Sequence, residues 1–348
     1  MKPPTMQLIA ATAALSLALT ACGTSVQGAP SSASSDSLAD TTITVYNAQH
    51  EELTQAWADE FQAKTGVSVT LRNGSDSELA NQIVQEGIAS PADVFLTENS
   101  PAMSLVENAG LFTDVGADTM AQVPAAYRPS TGKWTGIAAR STVLVYNPSM
   151  LSDTELPGSL LDLSEASWKG RWAASPGGAD FQAIVSALLQ LKGKAATEKW
   201  LAGMKANSTP FQGNSAVMRA VNAGEIPAGV VYHYYWFIDQ AGTKENSTNA
   251  KLHFFGQQDP GAFVSVSGGG VLAASKNQAA AQAFLAFITS KDGQDVLRTG
   301  TSMEYTVASG VPANPALPAL DTLDAPSVDP ATLNGTEVIS LMTAAGLL

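Results

Sequence analysis

From residue 42 onward the chain alternates between two apolar patterns. Thr42-Ile43-Thr44-Val45-Tyr46 is a β-rich run; behind it Leu53, Trp57 and Phe61 recur every four residues, the stripe of a helix that Gly66 is suited to end. A strand over 67–71, a helix over 77–89 and a strand over 92–96 follow. Strand and helix alternating at this spacing predict a parallel sheet with crossover helices, whose ligand sites lie beyond the carboxyl ends of the strands. His50 and Glu98 each stand just past such an end.

A second sheet is predicted to begin at 142–146, with helices over 181–191, 195–206 and 216–223 and a strand over 228–232. Residues 271–274 and a helix over 278–290 read as a return to the first part of the chain. The tail, 311–348, is rich in Pro and Asp before a last apolar helix over 337–345.

The amino end carries a different pattern. Lys2, an apolar stretch over 8–19 and Leu19-Thr20-Ala21-Cys22 read as a secretory leader over 1–21, too short to span a bilayer. Leu-Thr-Ala-Cys resembles a lipobox, so Cys22, the chain's sole cysteine, is expected to be lipidated; a stray thiol or an intermolecular disulfide is the alternative. Residues 22–41, mostly Gly, Ser, Ala and Pro, read as a flexible tether. These features place the protein outside the cytoplasm, held to the membrane only through its lipid.

Composition adds two constraints. With 45% hydrophobic and 14% charged residues, the rest of the chain can build one large or two medium cored domains. The net charge is −13, which argues against nucleic acid as a partner and suits a cationic ligand, although acidic surfaces also serve solubility.

The densest chemistry lies in Val231-Tyr232-His233-Tyr234-Tyr235-Trp236-Phe237, directly after a strand. Neighbouring side chains of a strand point to opposite faces, so Tyr234 and Tyr235 can face one point only if the strand has ended and a helix is beginning. Phenolate oxygen is a hard anionic donor suited to a hard trivalent ion. A packed aromatic cluster is the competing reading.

His50 could offer a neutral nitrogen to a metal or merely stand at a helix start, and Glu98 could add a carboxylate. His50-Glu51-Glu52-Leu53-Thr54 lacks the second histidine of a zinc-protease helix. Ser175-Pro176-Gly177-Gly178-Ala179-Asp180 and Asn214-Ser215 precede helices, where backbone N–H groups can receive an anion or simply be capped. Gly268-Gly269-Gly270 lacks the Lys-Ser/Thr of a phosphate loop, and Gly213-Asn214-Ser215-Ala216-Val217 lacks the second glycine of a nucleophile elbow.

Taken together, Val45-Tyr46-Asn47-Ala48-Gln49-His50, Asp93-Val94-Phe95-Leu96-Thr97-Glu98, Val145-Tyr146-Asn147-Pro148, His233-Tyr234-Tyr235-Trp236 and the closing Ala344-Ala345-Gly346-Leu347-Leu348 resemble the ferric-iron-binding proteins of ABC importers. The resemblance runs from about Thr42 to Leu348. It implies a type II periplasmic-binding-protein fold: two α/β lobes, 42–140 with 265–315 and 141–264 with 316–348, joined by a hinge of β-strands around a ligand cleft.

Carried over by position, the ligands of Fe3+ are His50 and Glu98 from the first lobe and Tyr234 and Tyr235 from the second. A synergistic phosphate or carbonate is expected on Asn99, Gly177, Gly178, Ala179 and Asn214, with Arg140 as a further contact. Two positions depart from the family pattern: Tyr232 stands where many members have asparagine, and Arg140 is the remaining arginine near Thr142.

The resemblance further implies a monomer that delivers iron to an importer's permease and catalyses no reaction. The same fold with another cargo (an anion, a polyamine, thiamine or a divalent metal) is the nearest rival. A tethered envelope hydrolase is a remote one, since no nucleophile–base pair emerges around His50, His233 or His253.

Overall fold

The computed structural model describes Leu38–Leu348, which form one compact unit. The expected leader, Cys22 and most of the expected tether lie outside the described residues. The tether's last residues are folded: Leu38 packs on the cluster that holds Phe61 and Phe284, and Asp40 N–H donates to Gly66 O at 3.4 Å. The packed chain therefore includes Leu38 to Thr41, ahead of the expected start at Thr42, because this leucine has an apolar surface to cover.

The chain opens with β1 (Thr42–Asn47), α1 (Glu51–Thr65), β2 (Ser68–Asn73), α2 (Asp76–Glu86), β3 (Val94–Leu96), α3 (Ser100–Asn108) and α4 (Ala117–Gln122). β1 pairs in parallel with β2 and β3, as the spacing predicts. In α1 the stripe Leu53, Trp57 and Phe61 is buried, Trp57 Nε1 donates to Gly293 O at 2.7 Å, and Gly66 closes the helix in the left-handed conformation.

The next strand, β4 (Thr135–Tyr146), is buried along its whole length. It leads into β5 (Trp172–Ala174), α5 (Ala179–Lys192), α6 (Lys194–Asn207), β6 (Ser208–Pro210), α7 (Asn214–Ala223), β7 (Ala228–Tyr232), α8 (Tyr234–Ala241), β8 (Lys251–His253) and β9 (Val264–Val271). Three helices follow, α9 (Gln278–Thr289), α10 (Lys291–Thr299) and α11 (Gly335–Ala344).

The strands form one curled sheet in the order β2-β1-β3-β9-β4-β7-β5-β6, with β8 also on β4. β4 changes partners midway: Thr135–Ser141 pair with β9, and Thr142–Tyr146 pair with β7. One strand thus serves several cores: Ile137 and Ala138 join the cluster with Trp57 and Phe284, whereas Leu144 and Tyr146 join the cluster with Trp172 and Trp200.

Two strands differ from the sequence expectation. β4 starts seven positions earlier than 142, and β9, which the sequence pattern does not mark as a strand, ends where the return over 271–274 was expected to begin. The glycines of β9 leave room for close neighbours: a Cβ would come 2.3 Å from Met103 Cγ of α3 on Gly268, 2.7 Å from Leu285 Cδ1 on Gly269 and 2.7 Å from Phe112 Cε1 on Gly270. The tail also divides. Leu317 and Leu323 pack with Val123, Ala139 and Val307, whereas Leu333, Val338, Leu341 and Met342 join the cluster of Trp172 and Trp200.

Candidate metal-binding site

β7 ends at Tyr232, His233 has already entered helical backbone (φ −56°, ψ −37°), and α8 begins at Tyr234. This strand-to-helix turn is what places both tyrosines on one side. Their rings stack at 4.2 Å between centroids. Tyr234 is buried, and Tyr235 is half-buried at the edge of the site.

The other side comes from the ends of β1 and β3. His50 stands at the N-cap position of α1 without bonding to the helix through its side chain, and Glu98 lies in the turn between β3 and α3. His50 Nε2 is 3.1 Å from Glu98 Oε1, and the imidazole meets the Tyr234 ring edge-on at 5.0 Å. The four residues expected to hold iron are therefore neighbours, although β1 and β3 are separated from β7 by β9 and β4 in the sheet.

Between the two sides stands a residue that the sequence reading passed over. Asp180 Oδ2 accepts from Tyr235 OH at 3.1 Å, Tyr234 OH at 3.3 Å and Asn214 Nδ2 at 2.8 Å; Oδ1 accepts from Asn99 Nδ2 at 2.9 Å. Asn99 and Asn214, the two amide side chains expected to receive an exogenous anion, are thus turned onto a carboxylate of the chain itself. Gly177, Gly178 and Ala179 form the entry to α5, whose N-cap Gly178 offers no side chain, and Asp180 follows directly in the first turn.

Tyr232, the departure from the family pattern, supports this arrangement. Its hydroxyl lies 3.4 Å from Asn99 Oδ1 and donates to Asp180 O at 3.2 Å, while Ser265 Oγ donates to Asn99 Oδ1 at 3.0 Å. Arg140 is engaged within the chain. Its guanidinium donates to Glu98 O, to Gln49 Oε1 at 3.0 Å and to Glu304, behind the site.

His50, Asn99, Asp180, Asn214 and Tyr234 all stand at helix amino ends, those of α1, α3, α5, α7 and α8. Partial positive charge from five helices therefore meets at one place, which favours carboxylate and phenolate there. Before any cation is present the balance differs. Burial, and then Asp180, raise both Tyr234 and Tyr235, so they stay phenols.

Burial and Glu98 also raise Asp180 and push Asp76, beneath the turn at Glu98, up to about 8. Burial opposes ionisation of both His50 and Glu98, yet the surrounding charges prevail. Glu304 and Glu98 raise His50; His50 and Arg140 lower Glu98.

A cavity of about 410 Å3 opens onto His50, Glu98, Tyr234 and Tyr235, with Met218, Arg219 and Asp239 along its outer wall. His50, Glu98 and Tyr235 are partly exposed, whereas Tyr234 is buried. Among the described residues no helix is long and apolar enough to cross a membrane.

Comparison with known proteins agrees with this architecture. The chain is 64% identical over 310 residues to the Fe(3+)-binding periplasmic protein of Serratia marcescens, covering 89% of this chain and 92% of that one. It is 37% identical over 318 residues to the major ferric iron-binding protein of Neisseria meningitidis, covering 90% and 95%. The crystal structure of iron-bound HitA from Pseudomonas aeruginosa superposes with a TM-score of 0.83 at 41% identity, over 88% of this chain and all of that one. The fold is accordingly the two-lobed, mixed α/β periplasmic-binding-protein architecture. Residues 89–330 match the family described as bacterial extracellular solute-binding protein, and the chain belongs to that family.

Proposed function

We propose that the protein captures ferric iron outside the cytoplasm and hands it to the permease of an ABC importer, without catalysing a reaction. His50 Nε2, the Glu98 carboxylate and the phenolates of Tyr234 and Tyr235 hold the ion. The observation that carries this reading is the stacked tyrosine pair, whose hydroxyls converge on one carboxylate oxygen and face His50 and Glu98. Hard oxygen donors of this kind match a hard trivalent cation. The relatives named for ferric iron support the cargo.

In this reading Asp180 takes the place expected for phosphate or carbonate. Once both phenols ionise on the metal, Asp180 Oδ2 loses two of its three donors and turns toward the cation. Glu98 and two phenolates balance a trivalent charge; Asp180 contributes the extra negative charge that an exogenous anion would have brought.

The lobes divide close to where β4 changes partners, between Ser141 and Thr142, and again near 264/265. The tail crosses near 330 rather than 316, given where Leu323 and Leu333 pack. Closure over the ion would select the form that the permease recognises. The lipobox at Cys22 supports tethering of a monomer to the outer face of the membrane.

The test is a visible-absorption titration of the metal-free mature protein with a ferric chelate, with and without phosphate. A saturable phenolate-to-iron band at one iron per protein is expected. Absence of any band, with thermal stability unmoved by iron, would leave the fold and remove the cargo.

A further inference from the structure

Behind His50, on the side away from the tyrosines, lies a carboxylate that the reading above does not use. Glu304 follows α10 and is wholly buried. One of its oxygens, Oε1, accepts from Arg140 Nη2. The other, Oε2, is buried with no hydrogen-bond partner among the described residues and lies 3.5 Å from His50 Nδ1. A carboxylate oxygen held in the interior without a donor is costly, and the imidazole nitrogen is the group positioned to supply one.

The rest of the surroundings fixes this geometry. His50 N–H donates to Gln49 Oε1 at 2.7 Å, and Gln49 Nε2 donates to Ser267 Oγ at 3.1 Å. Arg140 Nη2 reaches Gln49 Oε1 as well as Glu304, so the backbone of His50 and the carboxylate behind its ring are tied to one guanidinium. His50 Nε2 lies 3.1 Å from Glu98 Oε1, which competes for the same proton, but Glu98 is partly exposed and can take a donor from water, whereas the wholly buried Glu304 oxygen cannot.

A neutral imidazole carries its proton on one nitrogen only, and a metal needs the other nitrogen's lone pair. In water the side chain favours the Nε2–H form, which would turn a proton toward the ion. We infer that Glu304 is a positioning residue: by accepting Nδ1–H it holds His50 in the Nδ1–H tautomer and presents the Nε2 lone pair to the cargo. The inference rests on His50 being a ligand, as proposed above. Arg140 neutralises Glu304, so the arrangement adds no net charge next to the ion. A carboxylate behind a metal-bound histidine is a general means of raising ligand strength, worth about 10- to 100-fold in affinity.

The test begins on unaltered, iron-free protein labelled with 15N, at a pH where the imidazole is neutral. With only His50, His233 and His253 in the chain, comparison with His50→Ala identifies the His50 signals. The Nδ1–H pattern is expected; an Nε2–H pattern would overturn the inference whatever the cargo proves to be.

Glu304→Gln supplies the second arm. Arg140 can only donate, so the new amide turns its oxygen to Arg140 and its NH2 to His50, which must then accept at Nδ1 and carry the proton on Nε2. The variant is expected to show the inverted tautomer and about a 10- to 100-fold loss of iron affinity, with no further loss when added to His50→Ala. An unchanged tautomer, or a loss that adds in full to that of His50→Ala, would assign Glu304 to packing alone. Loss of the iron band in the unaltered protein, with the Nδ1–H tautomer intact, would instead count against the proposed function.

Discussion

The hydroxyl of Tyr235 donates to Asp180 Oδ2 at 3.1 Å, across 55 positions of sequence. This contact joins the start of α8 to the start of α5 and gives the tyrosine pair its negative neighbour. It also sets how the site should respond to substitution.

Tyr234→Phe and Tyr235→Phe each remove a phenolate while leaving the ring stack. Each is expected to lower iron affinity by more than the roughly 100-fold upper range for residues that only support a ligand. The double substitution should abolish the visible band while melting at nearly the unaltered temperature. Stoichiometric iron uptake by the double variant would remove both residues from the ligand set.

Asp180→Asn keeps the shape but removes the charge and offers an NH2 where the phenols donate. Iron affinity without phosphate should fall by about 10- to 100-fold, and added phosphate or carbonate should restore part of it. Titrations over a phosphate series read this directly. Phosphate dependence equal in the two proteins would show that Asp180 does not stand in for the anion.

Acid should weaken binding steeply, and the sign follows from the protons. In the iron-free protein both tyrosines are phenols, held up by burial and Asp180, whereas the complex needs phenolates. Two protons therefore leave on binding, and affinity should rise with pH by about 100-fold per unit, one factor of ten per proton. His50, raised by Glu304 and Glu98 against its burial, adds a third proton below its own titration and steepens the fall at lower pH. Competition against a chelator of known protonation behaviour between pH 6 and 8 measures the slope; a slope below one proton would exclude paired phenolates.

His50→Ala should cost less affinity than either tyrosine change, because a neutral nitrogen contributes no charge to the trivalent ion. The comparison needs only the same competition assay at a single pH. A larger loss than that of Tyr234→Phe would invert this order of ligands.

Gly229→Ala probes the scaffold rather than the ligands. A Cβ on Gly229, the second residue of β7, would lie 2.2 Å from Val217 Cγ1, so the Val217 side chain or α7 itself would have to shift. Overpacking of this kind costs about 1–3 kcal/mol. Because α7 carries Asn214, the lower melting temperature should be accompanied by weaker iron binding.

Much of this was legible in the sequence where local pattern decides. Periodicity placed α5, α6, α7 and α9 to within a few residues, and the strand-to-helix argument gave the side-by-side tyrosines at 234 and 235. What escaped depended on distant partners. Asp180 reads as an ordinary acid in a first helical turn until Tyr235 is folded against it, and Glu304 has no motif around it at all. The first half of β4, Thr135-Gly136-Ile137-Ala138-Ala139-Arg140-Ser141, breaks the apolar pattern with a buried arginine that makes sense only beside Glu304.

The crossing strand has a mechanical consequence. His233 N–H donates to Ser141 O at 3.0 Å and Ser141 N–H donates to His233 Nδ1 at 3.1 Å, so the residue before Tyr234 is bonded to β4 where that strand changes partners. If that point is the fulcrum, the phenol lies on a very short arm, and β2 and β6, the outermost strands, lie on long ones. A small rotation then opens only a narrow gap at the ion while the rims sweep much further. Such a lever converts the presence of one small cation into a displacement large enough for a membrane partner to read.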